Sequence, residues 1–258
     1  MFQDEYLALD HPEILSFIFY PRKDFSQAPA NARDYFIPVD KEVSLSCRFY
    51  VYSPGSPSIL YFHGNGEVVS DHDYIAPMYN ELGINLFVAD YRGYGASQGV
   101  PSISNTVSDA SLIFQAFGDI LRQEGFTMDV FVMGRSLGSM SAIEIAHSYQ
   151  DAIKGLIIES GFASLTNLVV RLSSAGKSLA IRDKDFPNLA KIRVVSVPTL
   201  IIHGEHDCLI PVSEAHALFE AVPARNKKLL IIAEADHNDI LWIGKESYFQ
   251  AIKEFVFG

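Results

Sequence analysis

Val130-Phe131-Val132-Met133-Gly134-Arg135-Ser136-Leu137-Gly138-Ser139-Met140-Ser141-Ala142 decides the reading of this chain. A short apolar run leads directly into Gly-x-Ser-x-Gly, and a helix-like stretch follows. Strand, sharp turn and helix in that order make a nucleophile elbow. The turn forces the serine into strained backbone, flanking glycines avoid clashes, and the hydroxyl stands free at a helix N-terminus. The same pattern recurs at Gly95-Ala96-Ser97-Gln98-Gly99. There the serine lies well beyond the apolar run that ends near Asp90, and Val100-Pro101 follows. Proline turns its predecessor away from helix. Ser136 is therefore the candidate nucleophile, and Ser97 reads as a loop serine.

Working outward, short apolar runs recur at Ser58–Phe62, Asn85–Ala89, Gly155–Ile158, Pro198–Ile202 and Lys228–Ile232. Runs of this length, apolar throughout, suit strands buried on both faces of a parallel sheet. Helical stretches lie between most of them: Ser104–Arg122, with Val107, Ala110, Leu112, Ile113, Phe114 and Phe117 largely along one stripe, then Ser139–Tyr149, Val212–Ala221 and Glu246–Phe255. Strand–helix alternation predicts an α/β fold with a mostly parallel sheet. Two earlier strands, about Asp34–Val39 and Leu45–Tyr52, have no helix between them and would add an antiparallel edge. Residues 1–33 read as an irregular arm packed on the body through Phe17-Ile18-Phe19-Tyr20. About 40 residues between Ile158 and Pro198 break the rhythm. They read as a cap inserted over the sheet, residues 162–197, whose helix-like piece Leu165–Leu172 has leucine and valine at i, i+3, i+4 and i+7. Because pieces from His63 to His237 must converge, residues 1–258 are expected to form one catalytic domain.

Composition narrows the function. The 258 residues carry 20 Lys and Arg against 31 Asp and Glu, a net charge of −11. An acidic surface disfavours nucleic acid and anionic membrane faces. Two cysteines, Cys47 and Cys208, make no disulfide framework, which suits a reduced compartment. The first residues carry no basic stretch and no apolar run is long enough to span a bilayer. The expectation is a cytoplasmic protein without membrane insertion. Cys208, beside Asp207, is expected in a buried or half-buried packing role, with a redox-sensitive thiol as the alternative.

A serine nucleophile needs a base, and the base needs an orienting acid. His237 follows the last apolar run, in Ala233-Glu234-Ala235-Asp236-His237. The acid should follow the preceding strand, where His203-Gly204-Glu205-His206-Asp207 offers Asp207. Glu205 is the nearby competitor and Glu159 the more distant one. An oxyanion hole needs the N–H after the nucleophile, here Leu137, and a second donor from the loop His63-Gly64-Asn65-Gly66-Glu67. Asn65 is the choice there, with Gly66 as the alternative. His63 precedes the nucleophile in the chain and reads as structural. His203 and His206 imply no third ligand, so no metal or other cofactor is expected.

Phe62–Gly66, Asp90-Tyr91-Arg92-Gly93-Tyr94-Gly95-Ala96-Ser97, Gly134–Gly138, His203–Asp207 and Asp236-His237, in this order, resemble the α/β-hydrolase superfamily. Within it they are similar to the small BEM46-like or acyl-protein-thioesterase-like serine hydrolases. Tyr20-Pro21-Arg22 matches that group as well. The resemblance implies an eight-stranded sheet, a Ser136–His237–Asp207 triad and hydrolysis of a small-molecule acyl ester or thioester. It also implies that the Asp90–Ser97 string is mainly structural. One departure is Gly66, where the family loop often has alanine. A peptidase of the prolyl-oligopeptidase type and a non-catalytic binding protein on the same fold are the competing readings.

Overall fold

A computed structural model describes Tyr6 and residues 9–164 and 188–258. Its centre is an eight-stranded sheet in the order β1-β2-β4-β3-β5-β6-β7-β8. The strands are β1 (Ala32–Asp40), β2 (Val43–Tyr50), β3 (Ser58–Phe62), β4 (Asn85–Ala89), β5 (Val130–Arg135), β6 (Gly155–Glu159), β7 (Thr199–Gly204) and β8 (Lys227–Ile232). β1 pairs antiparallel with β2, and β2 antiparallel with β4. From β4 to β8 every pairing is parallel. This is the α/β-hydrolase architecture, with the antiparallel edge where two strands follow one another without a helix.

Alternation within the strands divides the core. Leu60, Phe62, Val132, Ile158 and Ile201 face one layer, which includes α3 (Ile103–Gln123), α4 (Ser139–Ser148) and α6 (Val212–Ala221). Ile59, Tyr61, Phe131, Met133, Ile157 and Leu200 face the other, with α2 (Ala76–Glu81), α7 (Ile240–Ile243) and α8 (Lys245–Phe257). Strands buried on both faces read as unbroken apolar runs for this reason. The exception is β8, which is only half-buried. It lies at the sheet edge with β7 as its single neighbour, so the expectation of burial on both faces does not hold there.

The N-terminal arm is more regular than its sequence suggests. Pro12–Ile18 forms α1, with Ile14 and Ile18 buried. Asp10 from this arm accepts the N–H of Ile103 at 2.8 Å, at the start of α3. Ser102 caps the same helix, its hydroxyl accepting from the N–H of Asn105. A short 3₁₀ segment (Val69–Asp73) and α2 occupy the stretch after β3, where the sequence predicts no element. Both are too short for a periodic signal. Of the cap interval, α5 (Asn188–Ile192) is described, and its Lys191 is buried against Glu144 of α4. The helix expected at Leu165–Leu172 lies outside the described residues. Among the described residues, no helix is long and apolar enough to cross a membrane.

The parallel register aligns strand ends. Phe62 is level with Gly134, Arg135 with Glu159, Glu159 with Ile202, and Gly204 with Ile232. The loops after β3, β5, β6, β7 and β8 therefore open on one edge of the sheet.

Candidate active site

Ser136 follows β5 at once and sits in left-handed backbone, φ +50°, a conformation that costs a non-glycine residue energy. It is held there by close packing. A Cβ on Gly138 would lie 2.1 Å from the Phe62 carbonyl oxygen, so the elbow sits against the end of β3. α4 starts at Ser139 and points its N-terminus at the serine.

Two further loops supply the partners. His237 Nε2 lies 3.0 Å from Ser136 Oγ, and His237 Nδ1 lies 2.7 Å from Asp207 Oδ2. The other carboxylate oxygen, Oδ1, accepts the N–H groups of Leu209 at 3.0 Å and Ile210 at 2.7 Å. Those bonds fix the carboxylate and leave Oδ2 facing the imidazole. All three side chains are buried. The two competitors for the acid stand elsewhere. Glu205 is exposed and accepts the N–H of Glu234. Glu159 is buried and accepts the Tyr248 hydroxyl at 2.6 Å. Below Asp207, His203 Nε2 meets the Ile210 carbonyl at 2.7 Å, and burial lowers its pKa despite that bond and the nearby carboxylate.

The loop after β3 is braced from several sides. The Asn65 amide donates to the Ile18 carbonyl at 2.6 Å, and its Oδ1 accepts the Tyr20 N–H and the Tyr94 hydroxyl. The side chain is thus committed to the N-terminal arm, while no described residue accepts the Asn65 N–H. Gly66 has φ +79°, and its carbonyl accepts from Arg22. His63 is buried, with Nε2 3.0 Å from Asp90 and Nδ1 2.8 Å from the Gly64 carbonyl. The Tyr91 hydroxyl donates to the His63 carbonyl at 2.5 Å. The Asp90–Ser97 string therefore supports this loop through Asp90, Tyr91 and Tyr94. Ser97 itself accepts the N–H of Ser46 at 2.8 Å.

The family model described as "Serine aminopeptidase, S33" matches residues 55–190. Alpha/beta hydrolase domain-containing protein 17C of Xenopus tropicalis is 31% identical over 218 residues, 82% of this chain and 66% of that protein. Protein bem46 of Schizosaccharomyces pombe is 31% identical over 211 residues, 79% of this chain and 69% of that one. The chain is a BEM46-like member of the α/β-hydrolase family. It spans about two thirds of the length of these curated relatives. An esterase of Pyrococcus furiosus has the same fold, with a TM-score of 0.75 and 19% identity over 93% of this chain and 98% of that one. A monoacylglycerol lipase of Paleococcus ferrophilus matches at a TM-score of 0.64 with 18% identity, over 82% of this chain and 98% of that one.

This α/β-hydrolase carries a second charged layer that the sequence reading missed. Arg135, next to Ser136, reaches Glu159 at 3.1 Å, the His237 carbonyl at 2.8 Å and the Asn238 side chain at 3.2 Å, and pairs with Glu67. Burial opposes charge on Arg135, yet the two carboxylates outweigh it and raise its pKa. Burial also opposes charge on Glu67, but Arg135, His72 and His63 hold its carboxyl below the ordinary range. Glu159 is pushed up by burial, which Arg135 and Tyr248 only partly offset. The available signal was charge in apolar context: Arg135 inside the serine motif, Glu159 ending an apolar strand.

Two surface findings complete the site. Cys208 is exposed, so the buried or half-buried packing role expected of it does not hold. Its N–H donates to Asp236 at 3.0 Å, which links the loops after β7 and β8. Glu205, His206 and Glu234 bring ligand atoms within 4.8 Å of one another and are the described residues that could share a cation. All three are exposed, as surface charges commonly are.

Proposed function

We propose that this α/β-hydrolase is a serine hydrolase that cleaves carboxylic esters or thioesters through an acyl-enzyme. The observation that carries the proposal is the hydrogen-bonded series Ser136–His237–Asp207, with Ser136 in left-handed backbone. Ser136 Oγ attacks the acyl carbonyl as His237 Nε2 takes its proton. Asp207 holds the imidazole through Nδ1 and stabilises its charged form. The Leu137 and Asn65 N–H groups receive the oxyanion, each contributing about 3 kcal/mol when aligned. His237 then gives its proton to the departing alkoxide or thiolate. Water, deprotonated by His237, attacks the acyl-enzyme and frees Ser136. These steps use the chain's own residues throughout. The esterase and lipase among the structural relatives support an acyl substrate. The net charge of −11 favours uncharged or hydrophobic acyl groups over polyanionic carriers. Two free thiols fit a reducing, cytoplasmic setting.

The description of the matching family as a serine aminopeptidase favours a second reading, cleavage of peptide or amide bonds. The test uses purified protein on p-nitrophenyl acyl esters, acyl-CoA thioesters and aminoacyl amides, with fluorophosphonate labelling mapped by mass spectrometry. Ester or thioester turnover with the label on Ser136 is expected. Turnover of amides alone would move the assignment to peptidase. A silent protein with Ser136 unlabelled would end the enzymatic reading.

A further inference from the structure

We propose that Arg135 is a positioning residue that keeps the base and the oxyanion loop in one register. This inference rests on the catalytic reading above.

Strand alternation puts Arg135 on the same face of β5 as Phe131 and Met133, the face packed by α2 and α8. Its side chain thus runs under the sheet edge instead of toward the acyl carbonyl. There one guanidinium makes four attachments. Nε reaches Glu159 at the end of β6, and Nη2 reaches both the His237 carbonyl and the Asn238 side chain. Nη1 pairs with Glu67, whose Oε2 accepts the Gly64 N–H at 3.0 Å. Gly64 precedes Asn65, His237 is the base itself, and the Arg135 carbonyl forms the peptide bond to Ser136. One planar group therefore connects the nucleophile, the base and the proposed oxyanion donor through at most one intervening side chain.

The chemistry of the connection requires arginine. A guanidinium offers five N–H donors in a fixed fork, whereas an ammonium offers three on a flexible stem. Lysine could keep one or two of these bonds but not all four. Fold stability is a weak reason for such an arrangement, because buried ion pairs are often replaceable by apolar residues without loss. Register is a stronger one. A displacement of about 1 Å between reacting groups costs on the order of 100-fold in rate.

A cavity of about 210 Å³ opens beside the guanidinium, lined by Tyr61, Glu67, Glu159, Trp242 and Tyr248 among others. It offers space for a small cation to enter when the arginine side chain is removed.

The experiment measures kcat, KM and thermal unfolding for Arg135→Ala, Arg135→Lys, Glu67→Gln and the double variant Arg135→Ala/Glu67→Gln on the best acyl ester. Arg135→Ala is expected to lose about 100-fold in kcat with KM within about twofold. Millimolar methylguanidinium should restore part of that loss. Arg135→Lys should fall about tenfold, and Glu67→Gln several-fold. The double variant should be no slower than Arg135→Ala alone, because both changes cut one connection. If Arg135→Ala does not fold, Arg135→Lys and Glu67→Gln decide, since both keep hydrogen-bonding groups in place. Unchanged kcat in the folded variants, a loss confined to KM, or losses that multiply would overturn the positioning role. A wild-type protein that neither turns over substrate nor takes the fluorophosphonate on Ser136 would instead overturn the catalytic reading.

Discussion

Gly134–Gly138 and Gly95–Gly99 spell the same five-residue pattern, and both central serines are buried. Their surroundings differ completely. Ser136 has φ +50° and an imidazole nitrogen 3.0 Å away. Ser97 accepts a backbone N–H from Ser46 at 2.8 Å and helps tie the loop to β2. The glycines also differ in purpose. Gly138 gives room for the elbow to touch the backbone of β3, while Gly99 supplies a positive φ of +78° in a loop. A five-letter pattern thus constrains local shape. The strand before it and the helix after it determine whether the serine can react.

The comparison breaks most decisively at the serines. Ser136→Ala should remove acyl-ester turnover, a loss on the order of 10⁶ in kcat. Ser97→Ala should stay within a few-fold of wild type and lower the melting temperature modestly. Comparable losses in the two variants, each shown to be folded, would contradict the distinction. Next comes the acid. Asp207→Asn keeps the shape but holds the imidazole in the wrong tautomer, and should cost about 10⁴ in kcat. Binding of a substrate analogue to this variant should be unchanged. A mild loss would transfer the acid role to another carboxylate.

The glycines test the packing half of the comparison. Gly138→Ala places a methyl group 2.1 Å from a backbone oxygen, which side-chain motion cannot relieve. It should cost about 3 kcal/mol in stability and remove activity as well. Gly99→Ala meets only side-chain atoms, at 3.3 Å, and its cost is that of the left-handed backbone, about 1 kcal/mol. Thermal unfolding of the two variants with an ester assay separates these. Equal destabilisation with activity retained in both would show that the elbow tolerates displacement from β3.

The two patterns also show how much was legible in the sequence. Strands, long helices and the convergence of Ser136, Asp207 and His237 on one edge of the sheet are readable because each follows a rule of period or position. Buried strands must be apolar throughout, and the parallel register places their C-terminal loops together. What escaped depends on contacts made across distant segments. Arg135 reads as an ordinary charged residue until the fold surrounds it with Glu67 and Glu159. Asn65 was expected as a donor, but nothing local shows that its side chain holds Ile18 and Tyr20 while its N–H stays unclaimed by the described residues. Cys208 is exposed in a loop tied by its N–H to Asp236, 28 positions away, a contact that no local pattern announces. Short elements such as α1 and α2 carry too few turns for their period to register.

The smallest effect concerns pH, and it lies on the Ser97 side of the comparison, where Asp90 opens the string and holds His63. Burial opposes a charge on His63, but the hydrogen bond and charge of Asp90 outweigh it and raise the folded pKa. A folded pKa above the unfolded value of about 6.5 means the folded state binds the proton more tightly. The resulting stabilisation is fully present below pH 6.5 and is lost as pH rises through the folded value. The neighbouring His72 behaves oppositely: burial lowers its pKa, so its contribution declines as pH falls below 6.5. Comparing wild type with Asp90→Asn largely cancels the His72 contribution, since both proteins keep that residue. The wild-type advantage in melting temperature should therefore be largest near pH 6 and shrink toward pH 9. A constant difference would mean that His63 stays neutral and that Asp90 serves only as a hydrogen-bond acceptor for His63 and for the Val69 N–H. A difference that grows with pH would reverse the sign and would require a His63 pKa lower in wild type than in Asp90→Asn.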